Sequence, residues 1–265
     1  MKKLLSRIQT FLNDIETYIF FNKKYGSFRG VYKDFKEANS KLPTNINNGY
    51  NNLDSAIRLL NFVEESKKQI FEHEYPPFFW LNNIINGCNK TNIKIFDFGG
   101  AYGWHFFKIA KYSKNNNFSW TVYDVEEIIK IAKDKFEGDR LKFTTNFEEV
   151  NNSDIFFSSG AIQYAEEFSL SFSLSQLQAK PKHILLSRLP MQDSVKQFAT
   201  LQNASSSFNP QYVFNRKDFI SSLENIGYEL VDTWRGYDSC HIPFHKNKSI
   251  QFYTGFYFKL KEILQ

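Results

Sequence analysis

From residue 93 onward, short apolar runs alternate with segments of helical periodicity, and this alternation leaves few folds open to the chain. The run IKIFDF at 93–98 is followed by HFFKIAKYS, which has the spacing of a helix. The later apolar runs are SWTVYDV, LKFTTNF, SDIFFSS, PKHILLSRLP, YELVDTW and IQFYTGFYFKL. Strands separated by helices connect by right-handed crossovers, so the pattern predicts an α/β domain on a mostly parallel sheet.

The N-terminal third of the chain lacks this alternation. One helical segment covers residues 52–72 and is stopped by Tyr75-Pro76-Pro77. A length of 265 residues allows between one and two domains. We therefore expect residues 1–90 to form a helical, aromatic-rich cap and residues 91–265 to form the α/β domain.

Charge and cysteine content argue against several classes of protein. The formal net charge of +5 is spread along the chain, whereas nucleic-acid binding needs a clustered basic face, so no nucleic-acid partner is expected. Cys88 and Cys240 are too few for a disulfide scaffold or a cysteine-based zinc site. The sequence has no run of about 18 apolar residues, so no transmembrane helix is expected. These features predict a cytoplasmic protein.

The first 20 residues predict an amphipathic helix with one apolar face, formed by Leu4, Ile8, Phe11, Ile15 and Tyr18. This face would pack on its own domain or on a second subunit, which would give a homodimer. The alternative is weak peripheral contact with a membrane, favoured by the basic residues at 2, 3 and 7 and opposed by acidic residues at 14 and 16. Charges interrupt the apolar stretch and no small-residue cleavage site follows, so mature protein is expected rather than a signal peptide.

A glycine-rich turn follows the first strand of the predicted sheet, in the segment Asp97-Phe98-Gly99-Gly100-Ala101-Tyr102-Gly103. Glycines allow close approach of a ligand to the backbone, and the helix start that follows presents free N–H groups. The spacing is not the G-x-G-x-x-G of dinucleotide-binding folds. A carboxylate before the turn suits a cofactor with an amino-acid end, because Asp97 would face its ammonium group directly or through water.

A second acidic residue ends the next strand. Asp124 lies 21 residues after Gly103, and an acid at this position of such folds holds ribose hydroxyls. The combination of strand, acid, glycine-rich turn, helix, strand and second acid therefore predicts a nucleoside-containing cofactor.

On these residues the chain resembles the class I S-adenosylmethionine-dependent methyltransferases: DFGGAYG matches their first motif and Asp124 their second-strand acid. The resemblance implies a Rossmann-like, doubly wound, seven-stranded sheet whose last strand is antiparallel. More narrowly, the chain resembles a bacterial family of methyltransferases encoded in surface-polysaccharide gene clusters. The stretches that match are FRGVYKDFKEA, FDFGGAYG, FFSSGAIQY, TLQN, FNRKDF and SCHIPFH.

The resemblance implies a site for S-adenosylmethionine, with S-adenosylhomocysteine as its product. Asp124 would bind the ribose diol, Val125 would flank adenine, and Ser159 and Gly160 would line the methyl-transfer site. The full set of implied cofactor residues is Asp97, Gly99, Gly100, Ala101, Tyr102, Gly103, Asp124, Val125, Asn146, Phe147, Ser159 and Gly160.

The acceptor chemistry is expected from loop residues. In the segment 238–245, His245 is the predicted general base and His241 a second candidate. Arg188 would pair with an anionic group or form an internal salt bridge, and Tyr164 suits hydroxyl recognition. Asp238 and the two histidines form a conceivable metal set, but Pro243 breaks the helix that would align them, so no metal is expected. Further polar candidates for acceptor recognition are Gln163, Gln202 and Asn203.

The function expected from these residues is O-methylation of a sugar or sugar-containing precursor of a surface polysaccharide. Two alternatives stay open: a catalytically inactive methyltransferase-like binding or scaffold protein, and a methyltransferase acting on another small molecule. An RNA methyltransferase ranks below these because no basic run with interleaved aromatics is present. An NAD-dependent sugar enzyme is disfavoured by the glycine spacing.

Overall fold

The computed structural model describes residues 2–42, 49–88, 90–166 and 168–262. Within these ranges the helices are α1 (Lys2–Ile19), α2 (Phe35–Asn39), α3 (Leu53–Ser66), α4 (Tyr75–Gly87), α5 (Trp104–Tyr112), α6 (Glu126–Phe136), α7 (Leu170–Ser175) and α8 (Arg216–Glu224). The strands are β1 (Phe28–Tyr32), β2 (Ile93–Phe98), β3 (Phe118–Tyr123), β4 (Leu141–Thr144), β5 (Ile155–Ser159), β6 (His183–Leu189), β7 (Met191–Gln192), β8 (Phe198–Asn203), β9 (Phe208–Asn215), β10 (Tyr228–Arg235) and β11 (Thr254–Leu260).

The main sheet has seven strands in the order β10-β11-β6-β5-β2-β3-β4. The five strands from β6 to β4 are parallel, and β11 is antiparallel to both β6 and β10. The prediction of a doubly wound, mostly parallel sheet with an antiparallel last strand is confirmed. In chain order, β3 and β4 are added to the sheet on one side of β2, and β5 and β6 are added on the other side. The turns after β2 and β5 therefore lie side by side at a topological switch point, where such folds bind ligands.

Helices cover both faces of this sheet, as the continuous apolar runs require. Successive side chains of β2 point to opposite faces of the sheet. Ile95 packs in the core beneath α3–α6, whereas Phe96 packs in the core beneath α7 and α8. Aromatic side chains fill much of both cores; Trp120 and Phe157, for example, are fully buried. Much of the high aromatic content is therefore packing rather than a binding surface.

A second, four-stranded sheet in the order β1-β8-β9-β7 was not predicted from the sequence. Strands β8 and β9 form an antiparallel hairpin, and β1 from the N-terminal third pairs antiparallel with β8. The N-terminal region thus contributes helices and one strand of this sheet. The division of the chain at residue 90 stays a prediction.

The apolar face of α1 is only slightly covered by the rest of the chain. Ile8, Phe11 and Tyr18 are exposed and Ile15 is half-buried, while the side chain of Leu4 lies outside the described residues. Phe11 and Tyr18 contact the ring of Phe244, so the expectation that this face packs on its own domain is confirmed only at its edge, and packing on a second subunit stays a prediction.

Candidate active site

A cavity of about 580 Å³ lies beyond the carboxyl ends of β2, β3 and β5. One part, the glycine end, is formed by turns that follow these strands and is lined by Gly99, Ala101, Asp124, Val125, Ser159 and Gly160. The other part, the tyrosine end, is closed by the N-terminal region and the small sheet and is lined by Tyr50, Tyr164, Gln202, Asn209 and Pro210. The cavity thus lies at the topological switch point, between the two sheets.

The glycine-rich turn takes its shape from close main-chain approaches. Gly99 and Gly103 have φ values of 72° and 74°, in the left-handed region that favours glycine. A Cβ atom at Gly99 would lie 2.1 Å from the Cβ of Ala161 in the turn after β5. At Gly100 it would lie 2.3 Å from Oδ2 of Asp97. The two turns therefore meet at distances that only glycine allows.

Asp124 is held at the end of β3 by two main-chain hydrogen bonds. Its Oδ2 accepts from the N–H of Ala101 in the glycine-rich turn at 2.8 Å, and its Oδ1 accepts from the N–H of Val125 at 2.8 Å. Burial raises the pKa of Asp124 to about 6, although these two hydrogen bonds act in the opposite direction. An ionised carboxylate has about four acceptor positions, so Asp124, which lines the cavity, retains acceptor capacity for a hydroxyl pair.

A buried cluster of charged groups lies behind the glycine-rich turn. Lys108 Nζ donates to both carboxylate oxygens of Glu74, at 2.6 and 2.7 Å. The His105 ring lies between this pair and Asp97, with Nδ1 3.4 Å from Asp97 Oδ2 and Nε2 3.9 Å from Glu74 Oε1. Asp97 Oδ2 also accepts from Trp120 Nε1 at 3.0 Å. Its Oδ1 is buried with no hydrogen-bond partner in the described part of the chain. The cluster fixes Asp97 beneath Gly100 rather than in the cavity.

The turn after β5 forms the floor between the two ends. Gly160 has a φ of 70°, and Arg188, which follows on β6, has a φ of 59°, a costly conformation for a non-glycine residue. The Arg188 guanidinium donates Nε and Nη2 to the two oxygens of Asp238, at 2.8 and 2.9 Å. This bidentate pair neutralises Arg188, and it confirms the alternative of an internal salt bridge.

Phenol and amide groups form the tyrosine end. The Tyr164 hydroxyl donates to Gln202 Oε1 at 2.6 Å, and the Tyr50 ring meets that of Tyr164 edge-on at 5.1 Å between centroids. Burial raises the pKa of Tyr164 well above its usual value and also raises that of Tyr50. Asn209 is 1% exposed, and its Nδ2 has no hydrogen-bond partner among the residues described. This end therefore presents neutral hydrogen-bonding groups.

The structure brings half of the implied cofactor residues to the cavity, namely the six of the glycine end. The others do not line it. Gly100 belongs to the turn but does not line the cavity, and Asp97 lies beneath Gly100. Tyr102 is fully buried and donates its hydroxyl to Ala56 O at 2.9 Å, and Gly103 starts α5. Asn146 is exposed and caps the turn that follows it, whereas Phe147 packs edge-on against Phe96. Asn146 and Phe147 are thus placed by local packing.

The predicted histidines lie outside the cavity lining. His241 Nε2 is 2.7 Å from Oδ1 of Asp14 on α1, and His245 is half-buried in the connection between β10 and β11. Of the four predicted catalytic residues, Tyr164 and Arg188 do line the cavity. The segment 238–245 was expected at the cavity mouth; it reaches the site only through Asp238, the partner of Arg188.

Sequence reasoning missed several lining residues. Tyr50 and Asn209 at the tyrosine end were not predicted, nor were Arg58, Trp104 and Ile128. A signal for Asn209 was present: ATLQN and FNPQYVF flank the short polar segment ASSS, a pattern typical of a β-hairpin. For Tyr50, which precedes α3, the sequence offered no signal.

The described residues contain neither a metal-binding cluster nor a membrane-spanning helix. Within the ranges given above, no group of three or more His, Cys, Asp and Glu side chains is arranged to hold a metal ion. Among the helices described there, none is both long enough and apolar enough to cross a membrane.

No protein-family model matches the sequence, and no curated protein matches it. Solved structures do match the fold. OxaC, in its complex with SAH and oxaline, superposes with a TM-score of 0.51 at 15% identity, covering 80% of this chain and 52% of OxaC. An S-adenosylmethionine-dependent methyltransferase from Clostridium acetobutylicum ATCC 824 gives a TM-score of 0.47 at 10% identity, covering 78% of this chain and 98% of that protein. The chain has the Rossmann-like methyltransferase fold.

Proposed function

We propose that the protein is an S-adenosylmethionine-dependent methyltransferase that methylates a hydroxyl group of a sugar or sugar-containing precursor. The observation that carries the proposal is Asp124, a carboxylate beside the glycine-rich turn with acceptor capacity directed at the cavity. Neighbours of the same fold support the choice of cofactor, since OxaC is solved with SAH. Surface polysaccharide synthesis is the context that the sequence resemblance suggests, and a cytoplasmic location stays a prediction.

The residues of the glycine end fit such a cofactor. Asp124 would accept hydrogen bonds from the ribose diol, and Val125 and Ile128 would lie along the adenine. The turns at Gly99 and Ser159–Gly160 would support the methionine part. When bound, the cofactor supplies a methyl group activated by a sulfonium sulfur. Asp97 is one layer further down, so we assign it to holding the turn rather than to direct contact.

The tyrosine end would orient the acceptor. Arg188 is already paired with Asp238, so the other charged residues of the described lining are one cation, Arg58, and two carboxylates, Asp124 and Glu166. A neutral, hydroxyl-rich acceptor therefore fits better than an anionic one, with Gln202, Asn209 and the Tyr50 hydroxyl as hydrogen-bonding groups. Tyr164 stays protonated because of its raised pKa and uses its single O–H to hold the amide of Gln202.

The chain's contribution to the reaction is mainly alignment. No histidine lines the cavity in the described part of the chain, and the buried tyrosines do not ionise near neutral pH. Holding the acceptor hydroxyl in line with the methyl group removes the entropic part of the barrier. The acceptor proton then leaves to water or through the exposed Glu166 at the rim.

Transfer of a labelled methyl group from S-adenosylmethionine tests the proposal. Neutral nucleotide-activated and lipid-linked sugars would be compared with anionic sugars, amino acids and catechols, using the wild-type protein and Asp124→Ala. We expect label in neutral sugars, lost in the variant. Label only in a non-sugar acceptor would overturn the acceptor assignment, and absence of cofactor binding would overturn the whole proposal.

A further inference from the structure

The apolar face of α1 is largely open to solvent over its described side chains. The exposed fractions are 60% for Leu5, 48% for Ile8, 56% for Phe11, 53% for Leu12, 52% for Tyr18 and 65% for Ile19. Scattered apolar side chains on a surface need no explanation, but six on one face of one helix form a contiguous patch. Such a face is normally covered by another element.

The opposite face of α1 faces the protein. Thr17 is 5% exposed. Asp14 contacts His241 through Oδ1 and accepts a hydrogen bond from the main-chain N–H of Phe244 through Oδ2, at 3.2 Å. The helix is therefore attached by its polar side, which presents the apolar side outward. Phe244 widens the patch, since its ring is 49% exposed and packs edge-on against Phe11 and Tyr18.

The apolar pattern of α1 matches itself when the helix is reversed. The apolar positions are 4, 5, 8, 11, 12, 15, 18 and 19. Reversal about the midpoint between Phe11 and Leu12 exchanges 4 with 19, 5 with 18, 8 with 15 and 11 with 12. A two-fold interface needs this property, because residue i must contact residue j of the other copy while j contacts i.

The charges of α1 support the same occupant. The basic residues Lys2, Lys3 and Arg7 lie in the first half of the sequence of α1, and Glu16, which is exposed, lies in the second half, whereas Asp14 is turned toward its own chain. An antiparallel pair brings the basic half of one copy alongside the acidic half of the other. An anionic membrane surface would attract the first half and repel the second.

From these observations we infer that the apolar face of α1 binds the same face of a second copy of this chain, in an antiparallel, two-fold symmetric helix pair. The interface is separate from the cavity and does not depend on the proposed function. Helices paired in this way would cross near Phe11 and Leu12, the midpoint of the pattern.

Sedimentation equilibrium of the full chain tests the association. We expect a mass of twice 31.2 kDa at micromolar concentration, and a monomer for Leu12→Glu. The matched control is Phe172→Glu, which charges a somewhat more exposed apolar side chain on α7, 65% exposed, and should remain dimeric. Because both sites are exposed, both variants should fold, and their unfolding midpoints check this. A monomeric wild-type protein at 100 times that concentration would overturn the inference.

Cysteine cross-linking tests the antiparallel arrangement. In a Cys88→Ser background, Leu12→Cys places the two thiols about one residue from the symmetry axis, so oxidation should give a covalent dimer. Leu5→Cys places them about 13 residues apart along the helices, roughly 20 Å at 1.5 Å per residue, and should not cross-link. Cross-linking of both variants would indicate a parallel pair, and cross-linking of neither would exclude the contact.

A flotation assay with phosphatidylglycerol–phosphatidylcholine vesicles separates the remaining explanation. We expect the wild-type protein to stay unbound. Binding to the vesicles that Leu12→Glu abolishes, with no dimer in solution, would overturn the inference in favour of a membrane surface.

Discussion

The two ends of the cavity are constructed in different ways. The glycine end uses main-chain groups and one carboxylate at the ends of neighbouring parallel strands, all supplied by residues 97–160. The tyrosine end collects side chains from Tyr50, Tyr164, Gln202 and Asn209, which antiparallel pairing and the N-terminal region bring together. The main chain gives the first end its shape, whereas side chains give the second end its hydrogen-bonding groups.

This difference means that the two ends tolerate change differently. A larger residue at Gly99 collides with the Cβ of Ala161, and one at Gly100 collides with the carboxylate of Asp97. A different side chain at Gln202 only changes which groups face the cavity. A scaffold of this kind can keep one cofactor site and change its acceptor, in line with the general separation of fold from substrate. The following predictions test the rigidity of the glycine end and the independence of the tyrosine end.

The largest effect is expected at the buried charges behind the glycine end. Lys108→Met leaves Glu74 buried without its cation, because both side chains are nearly inaccessible. Breaking such a pair costs about 3–5 kcal/mol of the free energy of unfolding. Chemical denaturation measures this loss. Lys111→Met, at an exposed position one turn away, is the control and should change stability by less than about 0.5 kcal/mol.

A double variant sharpens that prediction. Adding Glu74→Gln to Lys108→Met removes the uncompensated charge, so a large part of the lost stability should return. If Lys108→Met alone is as stable as the wild-type protein, the cluster does not support the glycine end.

The next largest effect is expected from Gly99→Ala. The added methyl group would meet Ala161 at 2.1 Å in a backbone conformation with φ of 72°, and overpacking of this kind costs about 1–3 kcal/mol. Affinity for S-adenosylhomocysteine should fall as well, because the turn must shift. Gly138→Ala, which meets no atom within 4 Å, serves as the control in denaturation and binding experiments. Equal behaviour of the two variants would contradict the rigid turn.

Affinity for S-adenosylhomocysteine should depend on pH through Asp124. The ribose diol needs the ionised carboxylate, and the pKa of Asp124 is about 6. Protonation therefore competes with binding below pH 6, and affinity should fall by up to about tenfold per pH unit there and be flat above pH 7. Titrations from pH 5 to 8 measure this. Asp124→Asn should bind more weakly with no such slope, and a wild-type protein without the slope would contradict the role.

The smallest effect is expected at the tyrosine end. Tyr164→Phe removes the hydrogen bond to Gln202, worth about 0.5–1.5 kcal/mol. We expect a higher KM for the acceptor and unchanged affinity for S-adenosylhomocysteine. Both are obtained from one set of assays, and a parallel loss of cofactor affinity would show that the two ends are not independent.

The parallel strands and the glycine-rich turn could be predicted because each depends on a short, continuous segment of sequence. Runs such as IKIFDF and the turn DFGGAYG predicted the parallel strands and the glycine-rich turn between strand and helix, because these features lie within a few residues of one another. Asp124 followed from the spacing of the next strand. Asp97 shows the limit of such reasoning. It lies near the end of β2, as the sequence indicated, but Trp120 and His105 surround it beneath the turn instead of leaving it in the cavity.

The tyrosine end could not be predicted because its contacts join distant parts of the chain. The pairing of Phe28 with Gln202 spans more than half of the sequence, and no local pattern records it. His241 and His245 were predicted as candidate general bases because they lie in a proline-containing loop. In the structure, His241 contacts Asp14 and so attaches α1. Residue type alone did not distinguish a catalytic base from an attachment point.

The most direct test of the central claim is calorimetric titration with S-adenosylhomocysteine at pH 7.5, with NAD as the control ligand. The wild-type protein and Asp134→Ala, which removes an exposed carboxylate of α6, should bind S-adenosylhomocysteine saturably and leave NAD unbound. Asp124→Ala should bind at least about 100-fold more weakly, because the two hydrogen bonds from the ribose hydroxyls to the carboxylate are lost. Absence of binding by the wild-type protein, or equal binding by Asp124→Ala, would contradict the assignment of the cavity as a methyl-donor site.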